Sequence, residues 1–242
     1  MFLFLKYLSR TVHEEQQFEN DCKRLASSFK TIPNEDRHHI GEPRHDDNAR
    51  EGCVSFTVWR KSLLIDCNGF TVFDSRGDMV YRVDSYGRRP REVVLMDHAG
   101  KSVLTLRRLK KLLARLDDWL VYEGEVGDNG PSYKSGKLSR KKPICFVRRR
   151  LGVLHAASKA IAYVCHATPR KQREYVIEGS YVNRSCKVLE VSSREVVAEI
   201  KRKEASPSGG SFGTEVFVLI VRPGFDCGFA MALVLLLDQM FS

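Results

Sequence analysis

The chain carries two hydrophobic textures, and the break between them falls near Gly52. Beyond it, short segments rich in Val, Ile, Phe, Tyr and Trp alternate apolar and polar positions, separated by Gly, Asp and Asn. Period-2 alternation marks a half-buried strand, because successive side chains point to opposite faces. Segments 54–59, 70–74, 79–83, 92–96, 102–107 and 119–122 fit that template, and so do 144–149, 160–165, 175–178, 187–191, 196–201 and 216–221. They predict twelve strands in an antiparallel meander. Asn68-Gly69, Ser75-Arg76-Gly77-Asp78 and Asp97-His98-Ala99-Gly100 supply hairpin turns. Residues 110–115, made of Leu, Ala, Lys and Arg without a turn residue, predict a single helical turn.

The last segment follows a different period. Pro223-Gly224 ends the twelfth strand, Asp226 stands at an N-cap position, and residues 228–237 run apolar without a break. Such a run makes about 15 Å of helix, half the thickness of a bilayer core. Apolar on every face, it has to be buried all round. In a chain otherwise made of strands, the place for it is the inside of a closed barrel, and no transmembrane span is expected.

Residues 1–52 lack strand alternation and read as a polar, disordered tail, with at most a loose helix over 13–25. The barrel domain is expected to occupy 53–242, with surface loops at 124–143 and 203–213, where Gly, Pro and Ser accumulate. The opening Met1-Phe2-Leu3-Phe4-Leu5 breaks at Lys6, too soon for a secretory signal, so a cytoplasmic protein is expected.

Charge sharpens the division. Of 40 basic and 30 acidic residues, 8 and 10 lie in residues 1–52, so the rest holds 32 against 20 and carries all of the positive excess. Such a body attracts phospholipid headgroups and nucleic acid. Between Asp128 and Glu174 no acidic residue occurs, while twelve lysines and arginines do. Within it, Arg140, Lys141, Lys142, Arg148, Arg149 and Arg150 form the densest group. Arg107, Arg108, Lys110 and Lys111 form a second, following an apolar strand. These ten are the candidate anion- or lipid-binding residues, and Arg88, Arg89, Arg91, Lys201, Arg202 and Lys203 are further rim candidates. Nucleic acid is disfavoured, since no helix-turn-helix, zinc-finger or RNA-binding signature accompanies the charge.

Nothing in the chain spells out catalysis. It has no G-x-S-x-G, P-loop or dinucleotide-binding glycine pattern, and in a strand the neighbours Cys165 and His166 point to opposite faces. The seven cysteines form no C-x-x-C pair, and four of the seven histidines lie in the tail. A non-enzymatic protein without metal, cofactor or disulfide framework is therefore expected.

Several ordered motifs carry a resemblance. Val58-Trp59-Arg60-Lys61-Ser62-Leu63, Gly69-Phe70-Thr71-Val72-Phe73-Asp74, Val94-Leu95-Met96-Asp97-His98-Ala99-Gly100 and Asp118-Trp119-Leu120-Val121-Tyr122-Glu123-Gly124 resemble the plant LURP-one-related proteins. So do Ile177-Glu178-Gly179-Ser180 and Val221-Arg222-Pro223-Gly224-Phe225-Asp226 with its apolar sequel. The resemblance spans residue 54 to the C-terminus and implies a mainly β fold, a closed twelve-stranded antiparallel barrel around a buried hydrophobic C-terminal helix. That fold is shared with Tubby C-terminal domains and phospholipid scramblases. It implies a regulatory monomer, membrane-tethered or phosphoinositide-binding, peripheral at the plasma membrane or nuclear, with a role in plant defence. A protein-interaction module whose basic charge is incidental is the alternative, and fold kinship alone does not choose between them.

Overall fold

In the computed structural model, residues 52–63, 68–84, 91–109, 118–126, 142–149, 160–166, 173–203 and 213–241 are described. They form β1 (Val54–Trp59), β2 (Phe70–Phe73), β3 (Met79–Val83), β4 (Glu92–Asp97), β5 (Ser102–Arg108) and β6 (Asp118–Glu123). β7 (Cys145–Arg149), β8 (Ala160–His166), β9 (Glu174–Ser180), β10 (Ser185–Glu190), β11 (Val196–Arg202) and β12 (Val216–Val221) follow, then the helix α1 (Cys227–Phe241). Each strand pairs antiparallel with its neighbours in sequence, and β1 pairs with β12, which closes the barrel. All twelve expected strands are present, with ends displaced by at most two residues. The tail before Gly52, the helical turn at 110–115 and most of the two expected loops lie outside the described residues.

Alternation does the sorting that the sequence announced. Phe56 and Val58 on β1, Phe70 and Val72 on β2, and Phe217, Leu219 and Val221 on β12 point inward and are buried. The register pairs them across the wall, Val58 with Val72 and Phe217, and Phe56 with Leu219. Irregularities at Val72/Phe73, Leu95/Met96, Ala160/Ala162 and Val188/Leu189 shift the register locally, as bulges do in a wall that must curve.

α1 fills the interior. Its 15 residues span about 22 Å, and Gly228 through Asp238 are all buried. Asp226 starts it: the carboxylate Oδ1 accepts from the Phe229 amide at 2.6 Å, the N-cap bond expected from the sequence. At the same end Gly228 lets the helix pass close to the wall, since a Cβ there would lie 3.3 Å from Val103. The helix runs past Leu237 to Phe241, further than its apolar run, with Asp238 buried inside it. Among the described residues no helix is long and apolar enough to cross a membrane.

Because strand directions alternate, the odd-numbered strands all end, and the even-numbered strands all begin, at one rim. α1 starts at the other rim after β12, so its C-terminus emerges where the odd strands end. We call this the helix-exit rim, and the opposite one the helix-entry rim.

Candidate anion-binding rim

The helix-exit rim collects cations from strands far apart in sequence. Arg60 and Lys61 follow β1, Arg91 precedes β4, and Arg107 and Arg108 end β5. Arg149 ends β7, Arg184 immediately precedes β10, and Lys201, Arg202 and Lys203 close β11. The α1 C-terminus opens onto the same rim, and the partial negative charge of a helix end favours cations there. The helix-entry rim is mixed: Asp74, Asp97, Glu123, Glu174, Glu190 and Asp226 sit among Lys101, Lys142, Arg173 and Arg222.

Several of the exit-rim arginines have structural work. Asp238, a carboxylate with 1 % exposure, is matched by Arg60, whose Nε lies 3.0 Å from Oδ1. Burial works against the Arg60 charge, yet Asp238 and Glu215 hold its pKa above the ordinary arginine value. Tyr181 donates its hydroxyl to Asp238 at 3.0 Å. Burial first, and then the Asp238 charge, raise the Tyr181 phenol well above its usual range, so the proton stays in place to donate. Arg184 lies between the rings of Tyr181 and Phe217, 4.1 and 4.5 Å from their centroids, and its Nε donates to the Thr214 carbonyl at 2.8 Å. Arg149 stacks 4.4 Å over Phe241 and donates to the Met240 carbonyl, one of the carbonyls a helix end leaves unpaired.

The remaining carboxylates described at this rim are also met by arginines. Arg107 pairs with Glu92 and donates from Nη2 to the Val126 carbonyl at 2.7 Å. Arg82 lies 3.3 Å from Asp84, and Arg148 forks onto Asp118 at 2.8 and 3.1 Å. Among the described residues, the positive surplus at this rim therefore rests on exposed Lys61, Arg91 and Arg202, with Arg108 and Lys203 beside them. Along β11, Lys201 approaches Glu199 at 2.6 Å and Lys187 approaches it at 3.5 Å. Burial raises the Glu199 pKa, but the two lysines outweigh it and hold the carboxyl below its ordinary value.

Of the ten candidate residues, five are described, and these five are not gathered at one place. Arg107, Arg108 and Arg149 reach the exit rim, whereas Lys142 is exposed at the entry rim. Arg148 points outward from β7 but is buried against Asp118, so its charge is spent within the wall. Lys110, Lys111, Arg140, Lys141 and Arg150 lie outside the described residues. Among the described cations of the acid-free run, Lys142 and Arg149 stand at opposite rims, because β7 enters at one rim and leaves at the other. Among the rim candidates, Arg91, Lys201, Arg202 and Lys203 do share the exit rim, while Arg88 and Arg89 are not described. Arg60, Lys61 and Arg184 were not among the sequence candidates. Lone cations at strand ends were the signal that could have found them.

Three of the described thiols, Cys145, Cys186 and Cys227, are shifted away from activation. Cys145 and His166 face each other in the register of β7 and β8, and Cys165 points to the opposite side of the wall. Burial raises the Cys145 thiol, takes Cys186 to about 12 and, with Asp226, Cys227 to about 11, the reverse of what a nucleophile needs. Cys53, Cys145, Cys165, Cys186 and Cys227 are not joined in disulfides. Among the described residues no His, Cys, Asp or Glu group could hold a metal ion.

Residues 54–238 match the LURP-one-related family model. Protein LURP-one-related 17 of Arabidopsis thaliana is 44 % identical over the whole of both chains. Protein LURP-one-related 8 from the same plant is 41 % identical, covering 79 % of this chain and 89 % of its own. A crystal structure of an Arabidopsis thaliana protein superimposes with a TM-score of 0.52 at 22 % identity, over 78 % of this chain and 91 % of that one, which speaks for the fold alone.

Proposed function

The chain belongs to the LURP-one-related family, and from that premise we propose that it is a non-enzymatic module that docks its helix-exit rim on anionic phospholipid surfaces. The observation that carries this reading is the convergence of basic strand ends from β1, β4, β5 and β11 on one rim of a closed barrel. A twelve-stranded barrel is about 24 Å across, from strand spacing and tilt. The described surplus cations of the exit rim stand in two sets: Arg91 with Arg108 at β4 and β5, where the Arg108 amide donates to the Arg91 carbonyl, and Lys61 with Arg202 and Lys203 at β1 and β11. The two sets, three strand spacings apart at β1 and β4, are separated by about 14 Å, beyond the ~8 Å screening length of physiological salt. They suit a flat sheet of charge better than one small anion, which a tight cluster would hold. The interior of the wall is occupied by its own helix, and burial raises the Cys145, Cys186 and Cys227 thiols, which supports a binding role over a catalytic one.

Each lysine or arginine near an anionic bilayer contributes about 1 kcal/mol. Four of them give about 4 kcal/mol, a dissociation constant near the millimolar range. Vesicle co-sedimentation of the full chain at about 150 mM salt, where the screening length is ~8 Å, tests the reading. The expected result is pelleting with phosphatidylserine or phosphoinositide vesicles and none with neutral ones. Lys61→Glu with Arg202→Glu should weaken it at least tenfold, roughly 1 kcal/mol per lost cation plus repulsion, and Lys142→Glu at the far rim should change it little. Indifference to lipid charge, or to the rim substitutions, would refute the assignment. Failure to bind any vesicle would leave a protein-interaction module as the working description.

A further inference from the structure

Cations alone would let the barrel hover at a membrane, but the exit rim also displays apolar side chains. Four large hydrophobic residues are exposed among those described, and the two most exposed, Val182 at 63 % and Leu63 at 56 %, both belong to this rim. Both stand next to described residues that are held in place. Val182 sits in the four-residue turn between β9 and β10, whose first and last members are buried. Tyr181 is held by its bond to Asp238, and Arg184, in the left-handed region at φ 51°, is gripped by two rings and a carbonyl. The turn is pinned at both ends with its valine projecting. Leu63 follows buried Ser62 and exposed Lys61, and the Lys61 carbonyl accepts a 2.8 Å bond from Thr71 Oγ1 on β2. Trp59, half-buried at the end of β1, lies beside them with the Lys61 ammonium 5.5 Å from its ring centroid.

Aliphatic tips, a half-exposed indole and cations on one rim match the order of a bilayer interface: acyl chains, headgroup level, phosphate. Building on the membrane reading, we infer that Leu63 and Val182 insert into the acyl-chain boundary of an anionic bilayer, with Trp59 at headgroup level and Lys61 and Arg202 against the phosphates. Rigid support matters here, because a tip already fixed in its inserting conformation loses little entropy on binding. The occupant is a lipid surface rather than an apolar protein groove, because the tips stand apart from each other on a ring of charge.

The chain carries its own probe. Its other tryptophan, Trp119, is 1 % exposed, so a change in indole emission on binding reports Trp59. Full-length protein would be mixed with phosphatidylcholine vesicles and with vesicles also containing phosphatidylserine, each with and without brominated acyl chains. The expected result is a blue shift and bromine quenching only with the anionic vesicles. In Leu63→Ser/Val182→Ser, quenching should disappear and affinity fall about thirtyfold, the loss for two partly exposed aliphatic side chains that would otherwise leave water. Its melting temperature should stay unchanged, since both side chains already face solvent. Salt-sensitive pelleting without quenching, or equal affinity in the double variant, would overturn insertion and leave electrostatic docking standing. No pelleting of the wild-type chain would overturn both.

Discussion

Asp238 shows how one residue is made tolerable by partners remote in sequence. A carboxylate in a buried helix costs several kcal/mol unless it is paired. Here the partner comes from 178 positions earlier in the chain, where Arg60 leaves the end of β1. Tyr181 satisfies the carboxylate further. Arg60→Ala should therefore destabilise the protein by about 3 kcal/mol, chiefly by stranding a buried negative charge. Asp238→Leu placed on top of Arg60→Ala should restore much of that loss. Urea unfolding of the two variants checks this, and equal stability of Arg60→Ala and wild type would show that the pair carries no weight. Other arginines follow the same logic: Arg107 at the exit rim and Arg148 within the wall serve the barrel through Glu92 and Asp118.

For the elements, the helix is the test of the architecture. Its residues from Gly228 to Asp238 are buried on every side, and Leu235 retains only 1 % exposure. Leu235→Asp would place a charge there without an arginine to meet it, at a cost comparable to the 5–15 kcal/mol, roughly, that stabilises a typical domain. The variant should not fold, which soluble yield and circular dichroism would reveal; native melting behaviour would contradict a helix inside the barrel. Strands and helix alike were legible in the sequence, because alternation and all-round apolarity are local signals. The helix end was not. Asp238-Gln239 reads as a polar stop when Arg60 is out of view, and only the folded chain brings Arg60 there.

Closure governs the behaviour of the whole molecule. Every strand has two partners, and the inward faces of all twelve surround one helix. Removing one strand would expose both neighbouring edges and part of the helix, so no part of the wall is an independent folding unit. Thermal unfolding should show one transition, with the emission of buried Trp119 and the far-ultraviolet dichroism coinciding. Separated midpoints would mean that part of the wall melts alone. The same closure makes the exit rim a circle and so turns scattered strand-end cations into one surface.

By itself the sequence determined the strand count, the buried C-terminal helix with its Asp226 cap, the family and the positive sign of the body. Each depends on neighbours in the chain or on composition, and none of the four needs a partner from far away. Which cations stand together was decided only by the tertiary structure. Position at a rim depends on strand direction, and the face a side chain takes depends on a register that bulges such as Val188/Leu189 reset. The described members of the densest basic run were accordingly divided between Lys142 at one rim, Arg149 at the other and Arg148 within the wall. Arg60 and Lys61, unremarkable singly in sequence, became neighbours of Arg202 because β1 and β11 flank β12 in the closed sheet.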